Sequence, residues 1–389
     1  MTEQEIFQKF GFSVPDITGA LTGENDLGTG ALHFDRSGYT EFEDFLAGIG
    51  NLPKKPRKSA IPTCASLSVN GKVTQDDMKK YLAARRESSS ALKEVLKSPI
   101  HYLISKNENL KPKEESHFTL GTFIHSAFLE PSKFEKVKVL PEGGKKNSKD
   151  GLRVLIEYYR DILGLPQDDS TFDQKVDNIK EALVDLETLA AKRGYEFISP
   201  DMMAVVDVVK SSYYTYGGGI IPKLIANGKT ELSMYGTDPS TGLRVKIRPD
   251  CALFEEQVGA NIILSVKTTS AASIDAYMRD AAKYRYELAE GMYLQVASQI
   301  TGRKFTGTLM LVAQTVVPYQ CALLWLDAED LEIGKYKYAQ ALDVVKECRR
   351  TKNWPGFESY AEEGSHGIIQ TRFPGWIKEE LKPQYIPEQ

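Results

Sequence analysis

An aspartate and a lysine in this chain stand where a β-hairpin would bring them together. Asp250 ends the run LRVKIRPD, and Lys267 lies in NIILSVKTT, two positions after Ser265. Residues two apart on a strand share a face, so Ser265 and Lys267 project together. If the neighbouring strand turns Asp250 to that side, a carboxylate and an ammonium meet at a sheet edge. A carboxylate holds Mg²⁺ through oxygen, and the metal with the lysine orients and deprotonates a water for in-line attack on a phosphodiester. The same two residues also read as a structural ion pair on a solvated hairpin.

Arg244, Lys246 and Arg248 alternate with Val245 and Ile247, which puts three cations on one face leading to Asp250. Such a face is either a track for a DNA backbone or an edge guarded by positive charge. The run KKPRK at 54–58 either adds to that track or is a solvated linker. Tyr284, Tyr286 and Tyr293 are spaced for a helix, as core residues or as rings that stack on bases. His125, in the apolar segment LGTFIHSAFLEP, is either a packed histidine or a ligand. Trp354 and Trp376 read as packing residues.

The elements that must position these groups follow from patterning. The chain has 389 residues, 41% hydrophobic and 26% charged, which excludes a wholly disordered chain or a fibrous repeat. Its net charge of −4 requires any polyanion to be met by a local basic surface. Cys64, Cys251, Cys321 and Cys348 are scattered without metal-site spacing, so a reducing setting is expected. MTEQEIFQKFGF lacks a basic stretch followed by an apolar core, and no run is long enough to span a bilayer, so neither an export signal nor a membrane partner is expected.

Residues 1–73 read as an extension or small module, and 74–389 as the main domain with a helical insertion at about 141–227. TQDDMKKYLAARR is expected to be a helix capped by Thr74, and SSSALKEVL a second one, interrupted or restarted at Pro99. TELSMYGTD, LRVKIRPDCALF and NIILSVKTT read as a three-stranded meander. A long helix is expected over 272–301, then strands FTGTLMLVAQ and YQCALLWLD, and a closing helix AEDLEIGKYKYAQALDVVKECRRT. The order describes an α/β core.

In sequence order, SSSALKEVLKSPIHYL, LGTFIHSAFLEP, TELSMYGTDPSTGLRVKIRPD, ILSVKTTSAA, YRYELAEGMYLQVAS and VVPYQCALLWLDAEDLEIG with NWPGF resemble the RecE-like (exodeoxyribonuclease VIII) branch of the PD-(D/E)XK nucleases of phages and prophages. The resemblance runs from about Ser88 to the C-terminus. It implies a mixed central sheet flanked by helices, with a helical N-terminal part. It also implies that His125 and Asp250 contact metal, that Lys267 positions the nucleophile, and that Glu231 lies beside the scissile phosphate or a second metal. On the DNA-binding reading of the alternating cations and the helical tyrosines, the contacts are Arg244, Lys246, Arg248, Tyr286 and Tyr293.

Two positions depart from the family pattern. Ser265 stands where an acidic metal ligand is usual, and Ala289 where a helix glutamine is usual. Some restriction enzymes of the superfamily also read Ser-x-Lys, with a glutamate of the following helix reaching into the vacated place. Glu290 is four residues after Tyr286 and three before Tyr293, and so shares their helix face, whereas Glu287 is displaced by about 100°. Glu290 is therefore preferred as catalytic and metal-binding, against the alternative that both are surface charges. The resemblance implies a Mg²⁺-dependent exonuclease, with Mn²⁺ substituting, acting on double-stranded DNA in phage-type recombination. The single strand it leaves would pass to an annealing recombinase, the chain would form a homo-oligomeric ring, and the location would be the cytoplasm of a bacterial or phage-infected cell. The rival readings are a nuclease-dead DNA-binding scaffold and a restriction or defence endonuclease.

Overall fold

The computed structural model describes residues 38–50, 52, 71–107 and 120–371. In chain order it contains α1 (Phe42–Gly50), β1 (Lys72–Thr74), α2 (Met78–Ala83), α3 (Ser89–Val95), α4 (Pro99–Ser105) and α5 (Leu120–Leu129). After β2 (Val137–Val139) come α6 (Lys149–Leu163), α7 (Val176–Lys192), β3 (Glu196–Ile198), α8 (Pro200–Thr215) and α9 (Ile220–Asn227). Then follow β4 (Lys229–Thr230), β5 (Ser233–Thr237), β6 (Arg244–Ile247), β7 (Cys251–Leu253) and β8 (Asn261–Thr269). The chain continues through α10 (Ile274–Lys283), α11 (Tyr286–Thr301), β9 (Phe305–Gln314), β10 (Cys321–Trp325) and α12 (Ala328–Thr351).

The central sheet has the order β10-β9-β8-β7-β4. It is mixed: β8 and β9 are parallel, joined through α10 and α11, and the other neighbours are antiparallel. Along β8 the side chains alternate between two cores, Ile262, Leu264 and Val266 toward α5 and α8, and Ile263 toward α11 and α12. Covered on both faces, β8 is buried along its first six residues, Asn261 to Val266. Ser265 and Lys267 fall on the α11 side with Ile263. The helices α6 and α7 hold a third, separate apolar cluster around Leu152, Ile156 and Ile179.

Several expectations are revised. The meander is divided between two sheets: β5 and β6 join β1 in a three-stranded sheet, whereas β7 belongs to the central one. Pro249, with no amide to donate, sits at the break between them. The helix expected over 272–301 is broken at Arg285, whose φ is 52°. Thr74 ends a strand instead of capping α2; that cap is Asp77, which accepts from the Lys80 amide at 2.8 Å. The boundary at 73 falls inside β1, which pairs with β5, and α1 stacks Phe45 on Trp325 at 4.7 Å, so both pack onto the core. Trp354 does pack, stacked on Tyr102 at 5.3 Å. Cys251, Cys321 and Cys348 are buried thiols. KKPRK, Cys64 and Trp376 lie outside the described residues. Among the described residues, no helix is long and apolar enough to cross a membrane.

Candidate active site

Asp250 is delivered to the sheet by the break at Pro249 and lies just before β7. Its Oδ2 accepts the Val266 amide of β8 at 2.5 Å, and its Oδ1 lies 3.1 Å from His125 Nε2. His125 reaches it from α5, whose first turn contains Gly121. A Cβ on Gly121 would stand 2.7 Å from Thr268 Oγ1, so any larger residue would force Thr268 or the helix to shift from this close approach to β8.

Glu231 follows β4 with φ 58°, a conformation that costs an L-residue about 1–3 kcal/mol. Its amide donates to the Asp250 carbonyl at 3.0 Å, which fixes the two residues side by side. The carboxylate then points inward: Oε1 is 3.5 Å from His125 Nε2, and Oε2 accepts from Arg248 Nε.

One ligand atom each from His125, Glu231 and Asp250 falls within 4.8 Å of the others. One imidazole nitrogen and two carboxylate oxygens fit a hard divalent cation such as Mg²⁺ or Mn²⁺. Burial works to lower the His125 pKa, but the Asp250 hydrogen bond and the Asp250 and Glu231 charges outweigh it and leave it raised. Burial likewise works against the Asp250 anion, yet His125 and Lys267 hold its carboxyl below the usual range. For Glu231 burial wins over Arg248 and His125, and the pKa is raised.

Lys267 Nζ bridges outward from this cluster, 4.0 Å from Asp250 Oδ2 and 3.7 Å from Glu290 Oε1. Although burial disfavours its charge, Glu290 and Asp250 more than offset this and its pKa is raised, so the lysine is a fixed ammonium. Glu290 is fully buried, accepts the Ser265 hydroxyl at 2.7 Å on Oε2, and leaves Oε1 with no hydrogen-bond donor. Its pKa is raised by burial, with Lys267 and Ser265 pulling the other way. The glutamate thus reaches Ser265, but it joins the three converging ligands only through Lys267. Glu287 faces away and pairs with Lys337 at 2.8 Å. Between these two glutamates, the buried Ala289 adds no polar group. The chain segment that Gly291 admits is α12, since a Cβ there would meet the Lys335 amide nitrogen at 2.3 Å.

The expected cationic face does not form. Arg244 is exposed, but Lys246 and Arg248 are buried and committed to internal partners. Lys246 Nζ donates to the carbonyls of Tyr81, Leu82 and Ala84 at 2.8, 3.2 and 2.9 Å, where a cation satisfies the end of α2. Arg248 holds Glu231, Ser233 Oγ at 3.0 Å and the Asp76 carbonyl. Alternation in sequence did not become exposure because α2 and the segment before it cover this face.

Tyr293 packs against the core, where burial pushes its hydroxyl pKa well above the ordinary value. Tyr286 lies at the site, with Lys267 Nζ 5.4 Å from its ring centroid. A second ammonium, Lys93 of α3, lies 4.7 Å from the same centroid. Burial, reinforced by Lys267, brings the Lys93 pKa down to about 8. The sequence reading missed Lys93, since a single lysine in an amphipathic helix carries no signal of its own.

A family model described as a PDDEXK-like domain of unknown function (DUF3799) matches residues 88–363. The match spans the central sheet, β5 and β6, α5, and the helices α10 and α11 that follow β8. No curated protein matches the sequence. One solved crystal structure, described as a "putative exonuclease" from Eubacterium rectale, aligns with 80% of this chain and 100% of its own at 12% identity and a TM-score of 0.43. That likeness is too distant to bear on function.

Proposed function

We propose, on the premise that the chain belongs to the PDDEXK-like family matched over residues 88–363, that it is a metal-dependent nuclease hydrolysing DNA phosphodiesters. The observation that carries this reading is the convergence of His125, Glu231 and Asp250 within 4.8 Å, with the Lys267 ammonium 4.0 Å from Asp250. His125, Glu231 and Asp250 would hold Mg²⁺ or Mn²⁺. When bound, such a cation polarises a phosphoryl oxygen and makes water a better nucleophile at neutral pH. Lys267, held protonated, donates hydrogen bonds to the attacking water or to phosphate oxygen and stabilises charge that grows in the transition state. Glu290 keeps that ammonium in place and supplies the buried anion that Ser265 lacks.

The ordered resemblance to the RecE-like branch favours an exonuclease of phage-type recombination that leaves single-stranded DNA for an annealing recombinase, in a ring of subunits. The burial of Glu290 beside Ser265 favours an active enzyme over a scaffold that has lost an acid. The test is nucleotide release from linear duplex DNA with Mg²⁺ or Mn²⁺, with closed circular DNA alongside. Release from the linear form alone, abolished in Lys267→Ala, is the expected result. Cutting of the closed circle would replace exonuclease by endonuclease. No release with either metal would overturn the enzymatic reading.

A further inference from the structure

The nuclease reading, on which this inference rests, leaves one cation at the site without a task. We propose that Lys93 is a phosphate-binding residue whose ammonium seats the DNA backbone phosphate adjoining the scissile one. Lys93 and Lys267 approach the same ring, Tyr286, at 4.7 and 5.4 Å from its centroid. Their surroundings differ. Lys267 has carboxylates of Asp250 and Glu290 within 4.0 Å. Lys93, among the described residues, has a ring beneath it but no hydrogen-bond acceptor or ion-pair partner in contact, and the charges of Glu290 and Glu287 reach it only from farther off, too weakly to outweigh its burial and Lys267.

A partly buried ammonium with no anion in contact is costly, and an anionic ligand that reaches it offsets that cost. The anion that comes to this site is the DNA backbone. Lys267 is already neutralised and faces the reacting centre, so the unpaired cation beside it is free to take the next phosphate. The neighbouring surface suits a nucleotide. Tyr284, 54% exposed, stacks on Tyr286 at 6.0 Å, and Lys283 Nζ lies 5.7 Å from the Tyr284 ring. Exposed aromatics beside cations bind single-stranded nucleic acid by stacking and charge together. The break at Arg285 creates this surface, and its guanidinium donates to the Leu96 carbonyl at 3.4 Å, tying the junction to the end of α3 that carries Lys93.

The test uses the full chain with Lys93→Gln and Lys93→Arg. Lys180→Gln, at an exposed position of α7, is the charge-matched control. Fluorescence anisotropy follows binding of a short duplex with a single-stranded tail, in chelator to prevent cleavage, from low to high salt. Lys93→Gln should bind on the order of tenfold more weakly. Its slope of log affinity against log salt should be shallower by about 0.7–0.9, as for one phosphate contact. Lys93→Arg should retain both, and Lys180→Gln should match the wild type. The Tm of Lys93→Gln should not fall, because an unpaired charge has been removed from a partly buried place.

Wild-type affinity and slope in Lys93→Gln would overturn the proposal, and a lowered Tm with unchanged binding would make Lys93 a structural residue. If Lys267→Ala abolishes cleavage while Lys93→Gln keeps wild-type binding, only the Lys93 assignment falls. If the wild type binds no DNA, the nuclease reading falls with it.

Discussion

Glu290→Gln exchanges one oxygen for nitrogen in a fully buried side chain and so alters charge with almost no change in shape. The Ser265 hydroxyl, 2.7 Å away, can still donate to the amide oxygen, which leaves the Lys267 contact at 3.7 Å as the interaction removed. At an effective dielectric of about 20, opposite charges at that distance attract by about 4.5 kcal/mol. Breaking a buried pair on one side costs about 3–5 kcal/mol by direct comparison with other proteins. The ammonium keeps Asp250 at 4.0 Å, so a loss of about 3 kcal/mol in unfolding free energy is expected. If the transition state uses the same fixed ammonium, a comparable loss appears in kcat, about 100-fold. Urea denaturation gives the first number and nucleotide release from linear duplex DNA the second. Adding Ser265→Asp to Glu290→Gln returns an anion to the same place and should recover part of the rate, while Glu287→Gln should leave it near wild type. An unchanged unfolding midpoint together with an unchanged rate would mean that burial keeps Glu290 protonated, and the ion-pair reasoning would be wrong.

Asp250→Asn and Lys267→Ala should each abolish nucleotide release with little change in DNA affinity; unaltered release in both would remove the active-site assignment. His125→Ala should raise the Mg²⁺ concentration for half-maximal rate and weaken Mn²⁺ binding by calorimetry, whereas unfolding at an unchanged metal response would make it a packing residue. Arg248→Gln, which leaves Glu231 buried without its cation, should cost about 3–5 kcal/mol of stability and leave the salt dependence of DNA binding as it was; a shallower slope would restore Arg248 to the DNA surface. Lys93 has a pKa brought down to about 8, and a phosphate bound to it would favour its proton, so binding takes up protons above that pH. Wild-type DNA affinity should therefore fall as pH rises through about 8 while Lys93→Gln lacks that fall, and superimposable profiles would refute the contact.

Local pattern was enough for the elements that are long and carry one periodicity. FTGTLMLVAQ is β9 and AEDLEIGKYKYAQALDVVKECRRT is α12 because an apolar strand buried on both faces and a helix begun at an acidic cap each state their own limits. The sequence alone also placed Ser265 and Lys267 on one face, since the two-residue period of a strand does not depend on its neighbours. It put Glu290 on the face of Tyr286 by the same kind of argument. Tertiary structure decided what those faces meet. The three cations at 244, 246 and 248 do alternate, yet α2 and Glu231 claim two of them, and burial by a distant segment leaves no trace in a two-residue period. The divided meander depended on one proline acting between two sheets, and the broken helix on one residue at positive φ. The meeting of His125 with Glu231 and Asp250, both more than 100 residues further along the chain, relies on Gly121 to let α5 lie against β8 and on a left-handed Glu231 to turn its carboxylate inward, choices that are energetically sensible only once the packed neighbours exist.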